Sequence, residues 1–129
     1  LLLMTNDGDF AHLITHPKHE FPKTYLVKVK GVLDEQAIEM LEKGMFLKDG
    51  KTAPAKVKKI RKEEMNSWVE ITIHEGRKRE IRKMFEAMGY HVTTLVRTEF
   101  AGLTLDGLRP GQWRYLKRAE AERLRKLAG

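Results

Sequence analysis

The sequence predicts one α+β domain that contains a mixed, mainly antiparallel sheet with flanking helices. Its 129 residues suit a single domain with a real hydrophobic core. Segments with the alternating pattern of strands are interspersed with amphipathic helical segments along the whole chain. Neither an internal repeat nor a low-complexity linker divides these segments, so we assign residues 1–129 to one domain.

The first residues, Leu1-Leu2-Leu3-Met4-Thr5, predict an apolar strand, and the chain has no initiating methionine. A strand this hydrophobic is normally interior to a sheet, so we expect the chain to be a fragment of a larger protein. Turn-forming residues follow at 6–9, and Asp9 is a candidate cap for a short helix over 10–15.

Residues 23–29 alternate and predict a strand with Tyr25 among its side chains. Asp34 and Gly44 are the expected first and last caps of a helix ending at Lys43. A hairpin tip near residue 50 leads into a lysine-rich edge strand through 62, whose lysines also discourage mispairing. Residues 67–73 are its predicted antiparallel partner.

A strongly basic helix is predicted over residues 77–88, directly after this partner strand. Ile81, Met84, Phe85 and Met88 form one apolar stripe with helical spacing. Five of the seven residues from 77 to 83 are basic: Arg77, Lys78, Arg79, Arg82 and Lys83. The pattern fits a solvated basic face, and it equally fits a helix that presents arginine to a phosphate backbone or to an active-site carboxylate. The position of Arg82 at the rim of the stripe calls for an anion beside its charge.

The last third of the chain predicts a strand over 91–100, a short strand over 112–116 and a helix over 119–127. Leu95 and Arg97 share one face of the first of these strands, and a charge on such a half-buried face is expected to be paired. Leu124 and Leu127 are the residues expected to dock the final helix.

Composition limits the classes of function. The net charge is +7 and the pI is near 9.7, which favours a polyanionic partner, most commonly nucleic acid. The chain has no cysteine, so disulfides and thiolate zinc sites are excluded. The spacing of His12, His16 and His19 could suit a metal, but no carboxylate or thiol completes the set convincingly, and we predict no metal site. No apolar run reaches the length of a membrane span.

Ordered motifs carry a resemblance to a known family. They are Leu-Leu-Leu-Met-Thr-Asn-Asp-Gly at 1–8, Lys-Thr-Tyr-Leu-Val at 23–27, Asp-Gly-Lys-Thr-Ala-Pro-Ala at 49–55, Glu-Gly-Arg-Lys-Arg-Glu-Ile-Arg-Lys-Met-Phe at 75–85, Leu-Val-Arg-Thr at 95–98 and Gly-Leu-Arg-Pro-Gly-Gln-Trp at 107–113. The chain resembles the catalytic domain of bacterial ribosomal RNA pseudouridine synthases of the RsuA/RluB type. The Arg-Glu-Ile-Arg form of the basic helix is more similar to the large-subunit (23S) enzymes.

The resemblance implies an enzyme that turns one uridine of ribosomal RNA into pseudouridine without a metal or other cofactor. By the same resemblance, Tyr25 packs on the target base, Arg82 pairs with the catalytic aspartate, and Leu95 walls the base pocket. The expected RNA-binding residues are Arg77, Lys78, Arg79, Lys83 and Arg97. Ribosomal RNA is the expected partner, the expected location is the cytoplasm, and neither a membrane nor an oligomer is required.

One motif of the family is absent. Its catalytic aspartate lies in a Gly-Arg-Leu-Asp motif shortly before the leucine-rich segment, and that motif occurs nowhere in this sequence. We therefore expect this chain to be truncated at its N-terminus, to lack the S4-like RNA-binding domain as well, and to be inactive alone. A non-catalytic RNA-binding or ribosome-assembly module is the alternative. A DNA-binding protein is a weaker alternative, because a strand leads directly into the basic helix.

Overall fold

The computed structural model describes residues 1–16, 19–77 and 79–128. Its helices and strands, in chain order, are α1 Gly8–Thr15, β1 Lys23–Lys30, α2 Glu35–Lys43, β2 Phe46–Leu47, β3 Gly50–Lys51, β4 Lys56–Lys62, β5 Asn66–Ile73, α3 Glu80–Ala87, β6 Val92–Phe100, β7 Leu103–Thr104 and α4 Arg118–Ala128. Every strand pair among the described residues is antiparallel. The predicted α+β class with a mainly antiparallel sheet and flanking helices is confirmed.

The main sheet has the strand order β4-β5-β1-β6-β7, so β1 lies at its centre. In the register, Val27 of β1 pairs with Val69 of β5 on one side and with Leu95 of β6 on the other. Residues of β5 are alternately buried and half-exposed, as expected for a sheet with one face on the core. We call the core side the inner face and the opposite side the outer face.

Two hydrophobic clusters hold the described residues together. The first lies between the inner face and helices α2 and α3, and Val27, Leu41, Ile71 and Phe85 are fully buried in it. The second lies around α1, α4 and the β6–β7 end of the sheet, where Leu124 is fully buried. Burial of this apolar surface is the main term that stabilises the arrangement, at about 25 cal/mol per Å².

The caps of α2 follow the prediction, while the cap of α1 does not. Asp34 Oδ1 accepts a hydrogen bond from the Ala37 amide at 2.8 Å, and Gly44 ends α2 with φ +93°. At α1 the capping side chain is Asp7, whose Oδ1 accepts from the Phe10 amide at 3.1 Å. The prediction of Asp9 as this cap is wrong, because the helix begins at Gly8 and Asp9 therefore lies inside its first turn.

The start of α3 also differs from the predicted span of 77–88, because the helix covers Glu80–Ala87. Arg79 occupies the position before it with φ +55° and ψ 28°, in the left-handed region. A left-handed residue cannot continue a right-handed helix, so Arg77 and Arg79 lie in the preceding turn. Lys78 lies outside the described residues.

Three predictions at the chain ends are wrong. Residues 1–5 and 112–116 form no strand, and Leu127 is largely exposed although Leu124 is buried. Leu2 and Met4 are 78% and 87% exposed, so only alternate side chains of the first segment pack on the protein. The alternation resembles that of a strand, but a strand also needs a hydrogen-bonded neighbour. No helix among the described residues has the length and hydrophobicity needed to cross a membrane.

Candidate active site and RNA-binding surface

Tyr25 and Leu95 lie on neighbouring strands and face the same side of the sheet. Tyr25 is paired with Arg97, and Leu95 is paired with Val27 two residues along. Since residues two apart in a strand share a face, all four side chains belong to the inner face. Tyr25 and Leu95 are half-buried and pack against the first hydrophobic cluster, to which α3 also contributes.

The hydroxyl group of Tyr25 has no hydrogen-bond partner among the described residues. A tyrosine that serves only as core usually finds a partner for this group. Tyr25 therefore packs against the core while its hydroxyl group makes no hydrogen bond within the described residues, which fits a group that contacts a bound molecule.

Arg82 lies on α3, directly after the buried Ile81, and its side chain is half-buried. Within the described residues its guanidinium makes neither a hydrogen bond nor an ion pair. Helix α3 contacts β6, the strand that carries Leu95. A partly buried arginine that has no carboxylate beside it favours the binding of an anion next to its charge. That Arg82, Tyr25 and Leu95 line one pocket stays a prediction.

Arg97 is paired, but with a carbonyl group rather than a carboxylate. Its Nη2 and Nε donate to the Leu1 carbonyl oxygen at 2.9 and 3.2 Å, and its guanidinium lies 5.2 Å from the centre of the Phe100 ring. The Leu1 ammonium donates in return to the Arg97 carbonyl at 2.9 Å. These contacts are within the protein, and a role of Arg97 in binding RNA stays a prediction.

Two other predicted RNA-binding residues attach to the β2–β3 hairpin. Arg77 donates to the carbonyls of Gly50, at 3.1 Å, and Lys51, and its Nη1 lies 3.7 Å from Asp49 Oδ1. Lys83 Nζ lies 3.8 Å from Asp49 Oδ2. Arg79, in contrast, is exposed and makes no ion pair with a described residue. Of the described members of the predicted RNA-binding set, Arg79 is therefore the one whose charge is not engaged within the protein.

A buried carboxyl group that the sequence did not reveal lies beside Arg77. Glu80 is only 3% exposed, its Oε1 has no hydrogen-bond partner among the described residues, and that atom lies 3.9 Å from Arg77 Nε. Burial raises the pKa of Glu80 to about 7; the neighbouring Glu75 carboxyl adds to the rise, and the charge of Arg77 opposes it. The signal was present in the helical spacing, because Glu80 precedes Met84 by four residues and so shares its face.

Replacing Glu80 by glutamine is expected to remove a pH dependence of stability. The folded state raises the pKa of this carboxyl from 4.5 to about 7, so its contribution is fully present below pH 4.5 and is lost as the pH rises through 7. At pH 8 we expect the free energy of unfolding of E80Q to be about 1–3 kcal/mol larger than that of the wild type, so the variant is the more stable protein. At pH 4.5 we expect the two free energies of unfolding to be nearly equal.

Urea unfolding at the two pH values measures this difference. The control is Glu86→Gln, which removes an exposed carboxylate from the same helix and should shift both values by less than about 0.5 kcal/mol. If E80Q and the wild type keep the same difference in stability at both pH values, then Glu80 does not titrate in the expected range.

Lys23 is a second charged residue that the sequence analysis missed. Burial lowers the pKa of its amine, the charge of Arg97 lowers it further, and Glu80 opposes the shift. Lys23 also lines a cavity of about 310 Å³ together with Glu75 and Arg77. Its place two residues before Tyr25 on one strand puts it on the same face, so this cavity lies beside the candidate site.

The family model for RNA pseudouridylate synthases matches residues 1–87, which is more than half of the chain. The chain therefore belongs to the RNA pseudouridylate synthase family. A solved structure described as a pseudouridylate synthase superimposes with a TM-score of 0.81 and 36% identity, covering 93% of this chain and 52% of that one.

Among individual proteins, the chain is similar to enzymes named as ribosomal large subunit pseudouridine synthases. The chain is 50% identical over 130 positions to the ribosomal large subunit pseudouridine synthase B of Bacillus subtilis (strain 168), covering 99% of this chain and 53% of that protein. It is 39% identical over 129 positions to a ribosomal large subunit pseudouridine synthase E of Xanthomonas campestris pv. campestris, covering 88% of this chain and 69% of that protein. The chain spans about half the length of the first of these relatives.

Proposed function

We propose that this chain forms the base-binding part of an enzyme that isomerises a uridine in large-subunit ribosomal RNA to pseudouridine in the cytoplasm. The observation that supports this most is that Arg82 is a half-buried residue whose guanidinium has no partner among the described residues. It lies on the helix packed against the sheet face of Tyr25 and Leu95. The relatives with the names of large-subunit enzymes support the choice of substrate.

In the proposed reaction the bond between N1 of uracil and C1′ of ribose breaks and a bond from C5 to C1′ replaces it. The proton on C5 is lost and N1 gains one, so no net redox change occurs. Tyr25 packs on the base and assists removal of the C5 proton, while Leu95 excludes water from the pocket. The target uridine must leave its stack to reach these residues, and unstacking costs a few kcal/mol.

Arg82 pairs with the nucleophilic carboxylate in this proposal. The Gly-Arg-Leu-Asp motif that supplies this carboxylate in the family is absent from the sequence. We therefore propose that the chain acts together with a segment that carries the motif, and that the 129 residues alone release no proton from C5. A non-catalytic RNA-binding role is the less favoured alternative. Membership of an enzyme family, and a Tyr25 hydroxyl without a hydrogen-bond partner among the described residues, both fit a catalytic role better.

The experiment is tritium release from large-subunit RNA that contains uridine labelled at C5. We expect release with the complete gene product and none with the 129-residue chain. In the complete product, Arg82→Ala and Tyr25→Phe should each slow single-turnover release by about 100-fold or more, because each removes a group that touches the reacting parts. Arg118→Ala on the exposed face of α4 is the matched control and should leave the rate unchanged.

Two outcomes contradict the proposal in different ways. Release by the 129-residue chain alone would show that it needs no further carboxylate. A complete product that releases no tritium from any ribosomal RNA, or whose rate is indifferent to Arg82→Ala, would favour the non-catalytic alternative.

A further inference from the structure

The outer face of the sheet carries a set of basic side chains on the side away from Tyr25 and Leu95. Register places Lys56 opposite Thr72, Lys58 opposite Glu70 and Arg61 opposite Trp68, all half-exposed positions of β5. From the other side, Lys28 of β1 also lies opposite Trp68. We call these four residues, Lys28, Lys56, Lys58 and Arg61, the outer cation face.

Trp68 fixes two of these cations in place. Lys28 Nζ lies 5.2 Å and Arg61 Cζ 5.3 Å from the centre of its indole ring, within the range of a cation–π contact. Glu63 completes the arrangement, since it accepts from Trp68 Nε1 at 3.2 Å and pairs with Arg61 Nη2 at 2.8 Å. Because contact with the ring restricts both side chains, they lose less conformational entropy when they bind a ligand.

The outer cation face is positive and only partly neutralised. Lys28, Lys56 and Lys58 have no carboxylate within ion-pair distance in the described part of the chain, although Glu70 lies across from Lys58 in the register. Lys56, Lys58 and Arg61 are exposed, while Lys28 is half-exposed. The chemistry that such a face complements is a polyanion with regularly spaced charges.

Protection of a sheet edge accounts for only part of this set. Lysines on β4 discourage pairing with another chain, because β4 is the edge strand of the sheet. Lys28 lies on the central strand, both edges of which are already paired with β5 and β6. Protection of an edge therefore does not explain the position of Lys28 beside Trp68.

We propose that the outer cation face binds the phosphate backbone of RNA, on the side of the sheet opposite the uridine pocket. The inference rests on the proposed function for the identity of the polyanion and goes beyond it in placing a second contact. Because the two faces are separated by the sheet, the outer contact reaches an RNA segment other than the one that holds the target uridine. It contributes affinity and leaves the chemical step unchanged.

The test is the salt dependence of binding of a fluorescein-labelled RNA hairpin to the 129-residue chain, followed by anisotropy. Lys28→Gln with Lys58→Gln should weaken binding by about tenfold at low salt and reduce the slope of log K against log salt by about 2, one for each lost phosphate contact. Glu70→Gln, which removes a negative charge from the same face, should tighten binding. Circular dichroism and thermal unfolding check that each variant is folded, and Lys56→Gln with Lys58→Gln replaces the first pair if that pair unfolds.

The matched control is Lys117→Gln with Lys126→Gln, which removes the same charge from exposed positions before and within α4. The inference is overturned if this control weakens binding as much as the outer pair does, or if the unmodified chain does not bind RNA. Binding needs no turnover, so a complete gene product without tritium release would contradict the proposed function and leave this inference standing.

Discussion

Replacing Phe85 by alanine is expected to lower the free energy of unfolding by about 3–5 kcal/mol, because the lost contacts leave a cavity that the core fills only in part. Phe85 is fully buried on α3 and contacts the first hydrophobic cluster between that helix and the sheet. The cavity would open beneath the helix that carries Arg82, so binding of RNA should weaken together with stability. Urea unfolding, with tryptophan fluorescence as the signal, measures the change.

The matched control for this substitution is Phe46→Ala. Phe46 lies in the β2–β3 hairpin and is 80% exposed, so removal of its ring should change the free energy of unfolding by less than about 0.5 kcal/mol. Equal losses for the two variants would mean that Phe85 is not the centre of the packing between α3 and the sheet.

Replacing Gly44 by alanine is the second substitution for which we expect a large loss, of about 3 kcal/mol or more. Gly44 ends α2 with φ +93° and ψ 152°, a conformation that only glycine adopts readily. A Cβ atom there would lie 2.3 Å from the Thr52 carbonyl oxygen, which belongs to backbone that cannot rotate away. The loss of stability is therefore the sum of two terms: the backbone strain at residue 44 and the displacement of the segment around Thr52.

Gly89→Ala separates these two terms. Gly89 has a similar φ of +86°, and a Cβ atom built on it has no neighbour within 4 Å. Its loss should be about 1–2 kcal/mol, from backbone strain alone. Thermal and urea unfolding of both variants give the difference, and a loss at Gly44 no larger than that at Gly89 would contradict the steric argument.

Helix α2 was predictable because all of its signals are local. Asp34 and Gly44 lie within one stretch of sequence, and each caps the helix in the structure as its residue type favours. The start of α3 was not predictable in the same way. It depends on the left-handed conformation of Arg79, which a non-glycine residue adopts only when its surroundings impose it.

The candidate site shows the same division. Alternation along the strands placed Leu95 and Arg97 on one face, and the structure agrees. The partner of Arg97 could not be read from the sequence, because the Leu1 carbonyl is 96 residues away along the chain. The burial of Glu80 was missed for a different reason: its spacing to Met84 indicated the buried face of the helix, but its charge suggested a solvated position.

The central position of β1 has a consequence for synthesis of the protein. The strand is complete once Lys30 has been made, but its two neighbours, β5 and β6, are complete only at Ile73 and Phe100. Throughout that interval the nascent polypeptide carries Val27 and Val29 uncovered, on a segment with unpaired amide and carbonyl groups. Closing such distant pairs is slow and leaves apolar segments exposed to aggregation, so we expect β1 to wait longest for its partners among the strands of the main sheet.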